Sequence, residues 1–180
     1  MNVFTIAPMA VQIRPGSPSD QDTLLAFFDE AVVWLANRGL SDQWGSQPWS
    51  SRPEMLASVT RLSSHGGLFI AEIGSEPVGA LVISEDSPPY VPRADVPSLY
   101  IELLIVSRRF AGHKIGAALL AHARAECRLR KLTLLRVDCW AGGERRLVQY
   151  YETEGFTSAD AFLVGDWAGQ LLIDQIALDT

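Results

Sequence analysis

The segment from Leu99 to Leu120 constrains the fold more than any other part of the sequence, because it joins a strand pattern directly to a helix pattern. Residues 99–106 form an almost unbroken apolar run, which is typical of a strand buried on both faces of a sheet. Residues 107–112 interrupt this run with polar, basic and small residues. Apolar residues then return at helical spacing, at Ile115, Leu119, Leu120, Ala123 and Cys127. The sequence therefore predicts a buried strand, a turn and a helix that ends near Arg130.

The turn within this segment has the features of a phosphate-binding site. Backbone N–H groups at the start of a helix have no partner within the helix, and the helix dipole favours an anion there. Arg108, Arg109 and Lys114 add three positive charges around the same turn. We therefore expect the turn to bind a pyrophosphate.

Strand and helix patterns alternate along the rest of the chain, which predicts an α/β or α+β fold. Further strands are expected around Val11 and Ile13, and at Leu68 to Ile73, Val78 to Ile83, Leu132 to Cys139, Phe156 to Val164 and Leu171 to Leu178. Further helices are expected at Asp20 to Arg38 with Ser19 as N-cap, at Arg52 to Leu62 with Ser51 as cap, and at Glu144 to Glu154.

The connections carry further expectations. The strands on either side of the central helix are expected to run parallel, and the last two strands to turn through Gly165 and Gly169. The long connection from Ser84 to Pro97 fits either a functional loop or a plain crossover.

Composition restricts the class of protein and of partner. With 180 residues the chain is expected to form one domain, residues 9–180, after an N-terminal tail of residues 1–8. The net charge of −6 argues against a nucleic-acid partner, and no apolar run is long enough for a membrane span. Met1 to Pro8 lacks a signal-peptide pattern, and Cys127 and Cys139 are interpreted as buried, reduced thiols. These features predict a cytoplasmic protein.

Several common phosphate and catalytic motifs are missing from the sequence. It contains no G-x-G-x-x-G, no G-x-x-x-x-G-K-[ST] and no G-x-S-x-G pattern, which argues against a Rossmann site, a P-loop and a hydrolase elbow. The three histidines, His65, His113 and His122, show no metal-ligand spacing, so we expect no metal.

Two short segments carry a resemblance to a known family. Residues 109–116, RFAGHKIG, resemble the acyl-CoA-binding signature [Q/R]-x-x-G-x-[G/A] of the GNAT superfamily of N-acyltransferases. Residues 151–156, YETEGF, resemble the family's Y-x-x-x-G-F segment. Two positions depart from the pattern: Lys114 stands where glycine or alanine is usual, and Gly143 and Glu144 stand where an asparagine is common.

The resemblance implies a fold, a cosubstrate and the residues that bind it. The fold would be a mixed, mostly antiparallel sheet flanked by helices, with one parallel strand pair splayed around a site for acetyl-CoA. The pantetheine arm would lie along the strand and the phosphates in the turn. The cofactor-binding residues would be Leu104, Ile105, Val106, Arg108, Arg109, Phe110, Ala111, Gly112, His113, Lys114, Ile115 and Gly116.

The resemblance also implies catalytic roles, for which alternatives stay open. Tyr151 would be the general acid for the departing thiolate, or else a tyrosine packed in the core. Glu102 or Asp138 would take a proton from the acceptor, or each would be an ordinary solvated or hydrogen-bonded strand acid. In some members of the family water does this work instead.

The sequence constrains the acceptor substrate less than it constrains the donor. Trp44, Trp49 and Trp140, together with Glu102 and Asp138, would line a pocket for a cationic amine, although Trp44 and Trp49 equally fit a role in capping the core. The expected activity is acetyl transfer from acetyl-CoA to a primary amine of a small molecule or peptide in a ternary complex. The alternative is a non-catalytic acyl-CoA-binding sensor or partner-binding module. The final strands offer an edge for a homodimer.

Overall fold

The computed structural model describes residues 10–178, which form one seven-stranded sheet in the order β1-β2-β3-β4-β5-β7-β6. The strands are β1 Val11–Pro15, β2 Leu68–Ile73, β3 Glu76–Ser84, β4 Leu99–Val106, β5 Leu134–Trp140, β6 Thr157–Val164 and β7 Trp167–Gln175. The helices are α1 Gln21–Ala36, α2 Pro53–Ser63, α3 Ile115–Leu129 and α4 Arg146–Thr153. The predicted tail, residues 1–8, lies outside the described residues.

The predicted fold class is confirmed. Neighbouring strands pair antiparallel except β4 and β5, which are parallel. That exception follows from the connection, because α3 carries the chain back across the sheet between these two strands. A mostly antiparallel sheet with one parallel pair is the arrangement that the alternating pattern and the central βα unit predict.

Helices cover both faces of the sheet. Helices α3 and α4 pack on one face, where Leu119, Leu120 and Tyr151 join Leu135 and Val137 in the larger core cluster. Helices α1 and α2 pack on the other face, in a cluster of Leu24, Phe28, Val59, Ile70, Val82 and Leu103. Strand β4 is buried between both layers, as its apolar run predicts.

Strands β4 and β5 separate halfway along their length. Their pairing ends at Ile101 and Val137, so the second half of β4 keeps only β3 as a neighbour. At the same point the register with β3 shifts, because Ile83 faces Ile101 while Val82 faces Leu103. Glu102 is therefore the extra residue of a β-bulge, a feature that bends a strand and re-aims a side chain.

Three local predictions need correction. Asp20, not Ser19, is the N-cap position of α1, although its side chain does not bond the helix N–H groups; its carboxylate instead accepts the Ser17 backbone N–H at 2.9 Å, across the 3-10 turn that precedes the helix. Ser51 belongs to a short 3-10 turn, and Arg52 precedes α2. Gly169 lies inside β7, because the turn between the last two strands needs only Gly165 and Asp166.

Two properties of the described residues concern membranes and thiols. Between residues 10 and 178 no helix is both long and apolar enough to span a membrane. Cys127 and Cys139 are buried and free of any disulfide, as the sequence predicts.

Candidate active site

A cavity of about 870 Å³ opens where β4 and β5 separate, and it reaches both faces of the sheet. Toward α3 and α4 it is lined by the start of α3 and by Leu147, Tyr150 and Tyr151. Toward the opposite face it is lined by polar and aromatic residues from several elements: Trp44, Arg61, Tyr90, Tyr100, Glu102, Asp138, Trp140 and Trp167. The two ends have different chemistry, which suits two different substrates.

The start of α3 presents hydrogen-bond donors to the cavity. The first intrahelical bond runs from the Ala118 N–H to the Lys114 carbonyl at 3.0 Å, so the N–H groups of Ile115, Gly116 and Ala117 precede it. All three residues line the cavity. An anion placed there would receive their N–H groups at the positive end of the helix dipole, so the residues present fit a pyrophosphate.

Lys114 has a backbone conformation that favours glycine. Its φ is 57° and its ψ 26°, in the left-handed region, where a side chain is strained and glycine is not. Lys114 lines the cavity. The departure from the family pattern therefore places a lysine in a turn shape that a glycine adopts freely.

The basic side chains of the turn divide into two groups. Arg108 lines the cavity, and its guanidinium stacks 3.9 Å from the centre of the Trp34 ring on α1. Arg109 instead forms an ion pair of 2.8 Å with Glu76, and His113 hydrogen-bonds the Phe110 carbonyl of its own loop at 3.1 Å. Neither Arg109 nor His113 is among the described residues that line the cavity, whereas the other predicted cofactor-binding residues all are.

The second half of β4 offers a free backbone edge to the cavity. Leu104, Ile105 and Val106 line the cavity beyond the last pair that β4 makes with β5. An extended ligand laid along this edge would add to the sheet like another strand. The edge therefore fits the pantetheine arm that the resemblance implies.

Two adjacent tyrosines of α4 border the cavity in different surroundings. Burial raises the pKa of the Tyr151 hydroxyl well above its usual value, and the charges of Cys139 and Asp138 add to that effect. Burial likewise raises the pKa of Tyr150 to about 12. Tyr151 is only 6% exposed and packs on Phe156, so it is a core residue that also lines the cavity.

Glu102 lies on the bulge of β4 and lines the cavity, and its carboxylate contacts two basic side chains. Oε2 accepts a hydrogen bond of 3.0 Å from Arg61, and Oε1 lies 3.5 Å from Nε2 of His65. Nδ1 of His65 accepts the Gly67 N–H at 3.0 Å, so the proton of a neutral His65 sits on Nε2 and faces Glu102. Oε2 therefore has a hydrogen-bond donor, and Oε1 lies near the His65 ring.

Asp138 lies on β5, on the other side of the same opening. Burial raises the pKa of its carboxyl from 3.8 to about 6, and its own backbone N–H opposes this only in part. Its Oδ1 accepts a hydrogen bond from the Tyr100 hydroxyl of β4. Burial also raises the pKa of Tyr90, with smaller contributions from the charges of Asp138 and Glu102, and Tyr90 lines the same cavity as both carboxylates.

The predicted tryptophans do not share one role. Trp44 and Trp140 line the cavity. Trp49 is outside the described lining, because its ring stacks on Phe28 at 3.9 Å, with 7° between the ring planes. Its Nε1 is buried, and the described residues offer it no hydrogen-bond partner.

Sequence reasoning missed four residues that line the cavity together with Glu102 and Asp138: Arg61, Tyr90, Tyr100 and Trp167. Only Tyr90 had a signal, since it lies in the long proline-bearing connection that was expected to be either functional or a crossover. Arg61 and Tyr100 lie inside regular helix and strand patterns, where an inward-facing core residue and a cavity residue look the same, and Trp167 lies where the sequence predicted a turn between the last two strands.

The segment before α4, where an asparagine is common in the family, forms a turn with left-handed backbone angles. Gly143, Glu144 and Arg145 have φ values of 57°, 59° and 58°. A Cβ on Gly142 would lie 2.1 Å from the Trp140 ring, so this ring packs directly on the glycine backbone. The Trp140 side of the cavity thus depends on Gly142 and on the turn after it.

Comparisons with known proteins agree with this geometry. The model of the acetyltransferase (GNAT) family matches residues 30–156. An uncharacterized N-acetyltransferase of Bacillus subtilis, YesJ, is 28% identical over 155 residues, covering 82% of this chain and 83% of that protein.

Solved structures show the same fold. A GNAT-family acetyltransferase from Listeria monocytogenes superposes with a TM-score of 0.69 at 18% identity, covering 92% of this chain and 95% of that one. The PaiA N-acetyltransferase of Thermoplasma acidophilum, solved in complex with coenzyme A, superposes with a TM-score of 0.64 at 18% identity, covering 93% and 99%. Because the family model matches well over half of its residues, this chain belongs to the GNAT family of acetyltransferases, which are acetyl-CoA-dependent acyltransferases.

Proposed function

We propose that this protein transfers an acetyl group from acetyl-CoA to a primary amine of a small cationic molecule, by direct attack in a ternary complex. The observation that carries the proposal is the single cavity between β4 and β5. One end of it has helix N-terminal donors, and the other has two carboxylates among aromatic rings. A thioester and an amine held at these ends meet where the strands separate, which supplies the proximity that the reaction needs.

The donor end supports binding of acetyl-CoA. The N–H groups at the start of α3 and the cavity-facing Arg108 suit the pyrophosphate, and the free edge of β4 suits the pantetheine arm. The coenzyme A complex of the PaiA enzyme, which shares the fold, adds support.

Tyr151 is the proposed proton donor to the departing thiolate. Tyr151 lines the cavity, and the raised pKa of its hydroxyl keeps it protonated until a strong base forms beside it. A thiolate released from the thioester is such a base in a buried site. The core packing of Tyr151 on Phe156 holds the ring and is compatible with this role.

The acceptor end supports a cationic amine. Glu102 and Asp138 attract a positive charge, and the faces of Trp44, Tyr90 and Trp140 suit a cation that has been removed from water. A protonated amine, with further positive charge or apolar carbon, fits this surface better than an anion.

The test is a thiol-release assay with acetyl-CoA and a panel of amines, run beside calorimetric binding of coenzyme A. The panel contains polyamines, aminoglycosides, amino-acid amides and a peptide N-terminus, with taurine and glutamate as anionic acceptors. We expect turnover with one of the cationic groups. Binding of coenzyme A without turnover of any amine would favour the non-catalytic sensor, and preference for the anionic acceptors would contradict the cationic site.

A further inference from the structure

The acceptor side contains two carboxylates that face one opening, and their surroundings differ. Glu102 is held by Arg61 at 3.0 Å and by His65 at 3.5 Å. Oε2 of Glu102 is therefore engaged in an ion pair before any substrate binds. Its position on the bulge suits it to attract and orient a cation.

Asp138 has the opposite surroundings. Its one hydrogen-bond donor among the described side chains, Tyr100 from β4, is neutral, and so are Tyr90, Tyr151 and Cys139, whose raised pKa values include a contribution from its charge. Arg61 and His65 serve Glu102. A buried carboxylate without a cationic partner gains most by accepting a proton.

Tyr100 fixes the direction of the Asp138 carboxylate. Its ring is 2% exposed and packs among Val91, Leu171 and Phe162, which leaves its hydroxyl little freedom to move. The hydroxyl donates to Oδ1 of Asp138, across the last stretch in which β4 and β5 are still paired. Oδ2 is left as the oxygen available to a ligand in the cavity.

From this geometry we infer that Asp138 is the catalytic base that removes a proton from the acceptor ammonium, and that Tyr100 is the positioning residue that orients it. This inference rests on the proposed function. The first step moves one proton from the ammonium to Oδ2 of Asp138 and leaves a neutral amine. The amine nitrogen then bonds to the thioester carbonyl carbon, and the C–S bond breaks.

The protons balance over the whole reaction. The ammonium starts with three hydrogens on nitrogen and the amide product keeps one. One of the two lost protons leaves through Asp138 to the solvent at the cavity mouth. Tyr151 supplies the proton that ends on the thiol of coenzyme A, and the second proton lost from nitrogen leaves the tetrahedral intermediate and reprotonates Tyr151, so that one proton is released overall.

Two measurements test the inference, and only one of them depends on turnover. The first is a 13C NMR titration of the carboxyl carbons in the wild type, in Tyr100→Phe and in Asp138→Asn, which assigns the signal. We expect the Asp138 signal to titrate near pH 6 in the wild type. In Tyr100→Phe it should move to higher pH, because the anion loses a donor. An Asp138 titration near pH 4 in the wild type would overturn the inference.

The second measurement is the pH profile of kcat/KM for the best amine of the panel, at saturating acetyl-CoA. Asp138→Asn should lower kcat by about 100-fold or more and remove the acidic limb assigned to Asp138. Tyr100→Phe should lower kcat less than Asp138→Asn does and shift that limb upward. Glu102→Gln should raise KM and keep the limb.

The results for these variants distinguish failure of the role inferred for Asp138 from failure of the proposed acetyltransferase function. If Glu102→Gln removes the limb and Asp138→Asn keeps it, Asp138 is not the base, although the enzyme is an acetyltransferase. If Tyr100→Phe lowers the melting temperature and leaves both the titration and the limb in place, Tyr100 is only a core residue. If the wild type turns over no amine, the proposed function fails, and the NMR titration still decides whether Asp138 holds a proton near neutral pH.

Discussion

The hydroxyl oxygen of Tyr150 lies directly over the α-carbon of Gly116, so that a Cβ built on Gly116 would come within 2.3 Å of it. The ring carbon behind the hydroxyl would be 3.4 Å away, which is an ordinary contact distance. The contact joins α4 to the first turn of α3, where the phosphates are proposed to bind. It gives a physical reason for glycine at this position.

This contact predicts an effect of Gly116→Ala that changes sign with residue 150. In the wild-type background we expect Gly116→Ala to lower the free energy of unfolding by about 1 kcal/mol, because Tyr150 must shift. In a Tyr150→Phe background the same change should stabilise by up to about 1 kcal/mol, since alanine is the better helix former. Urea denaturation of the four proteins measures the coupling. Equal effects in both backgrounds would contradict the contact.

Removal of the Tyr151 hydroxyl should affect chemistry and not binding of the donor. We expect Tyr151→Phe to lower kcat by about 100-fold, within the range found for general acids, with an unchanged dissociation constant for acetyl-CoA. Steady-state thiol release and calorimetry measure the two quantities. All four tyrosines line the cavity, so no tyrosine remote from it can serve as a matched control. The dissociation constant and the melting temperature of Tyr151→Phe itself are the controls. An unchanged kcat would assign Tyr151 to the core alone.

Burial of Asp138 predicts how stability depends on pH. Its carboxyl pKa is about 6 when folded and 3.8 when unfolded, so between pH 4 and pH 6 the folded state binds more protons. Stability should therefore fall as pH rises through this range. Asp138→Asn removes the ionised form, and we expect it to raise the free energy of unfolding above pH 6 by about 1–3 kcal/mol. Urea denaturation at pH 4.5 and pH 7.5 tests this, and equal differences at both pH values would contradict it.

Glu102 should affect the acceptor and not the donor. Its carboxylate faces the cavity beside Tyr90, with Arg61 as its partner. We expect Glu102→Gln to raise the KM of a dicationic amine by about 10-fold, because one attractive charge is lost, and to leave the KM of acetyl-CoA unchanged. Glu54→Gln is the matched control, since Glu54 is exposed on α2 and pairs with Arg52 outside the cavity. A similar rise in that control would show a general effect of net charge.

Lys114 allows the backbone and the charge of the phosphate turn to be separated. Lys114→Gly and Lys114→Ala both remove the charge, but only glycine adopts a φ of 57° without strain. We expect the glycine variant to be more stable than the alanine variant by about 1 kcal/mol. Both should bind acetyl-CoA somewhat more weakly than the wild type, with a smaller salt dependence. Thermal denaturation and calorimetry at two salt concentrations measure these differences.

Local patterns predicted the elements that depend on local chemistry. The apolar run of β4, the helical spacing of α3 and the hairpin of β2 and β3 are all present with bounds that differ by a few residues. These patterns are read from neighbours in the chain, because burial on one or two faces imposes a period on the sequence. The errors at Ser19, Ser51 and Gly169 are errors of element ends, where one side-chain hydrogen bond or one turn type decides.

The residues that are proposed to bind acetyl-CoA could be identified from the sequence. These residues lie within short stretches of chain: the strand, the turn with its helix N-terminus, and the two family segments. Their chemistry can therefore be recognised from neighbouring residues. The contacts of the residues that are proposed to bind the amine became visible in the tertiary structure alone. It joined Glu102 to Arg61 and His65, and Asp138 to Tyr100, while it turned Trp49 into the core. The bulge at Glu102 and the end of strand pairing at Ile101 set these contacts, and both depend on how distant strands meet.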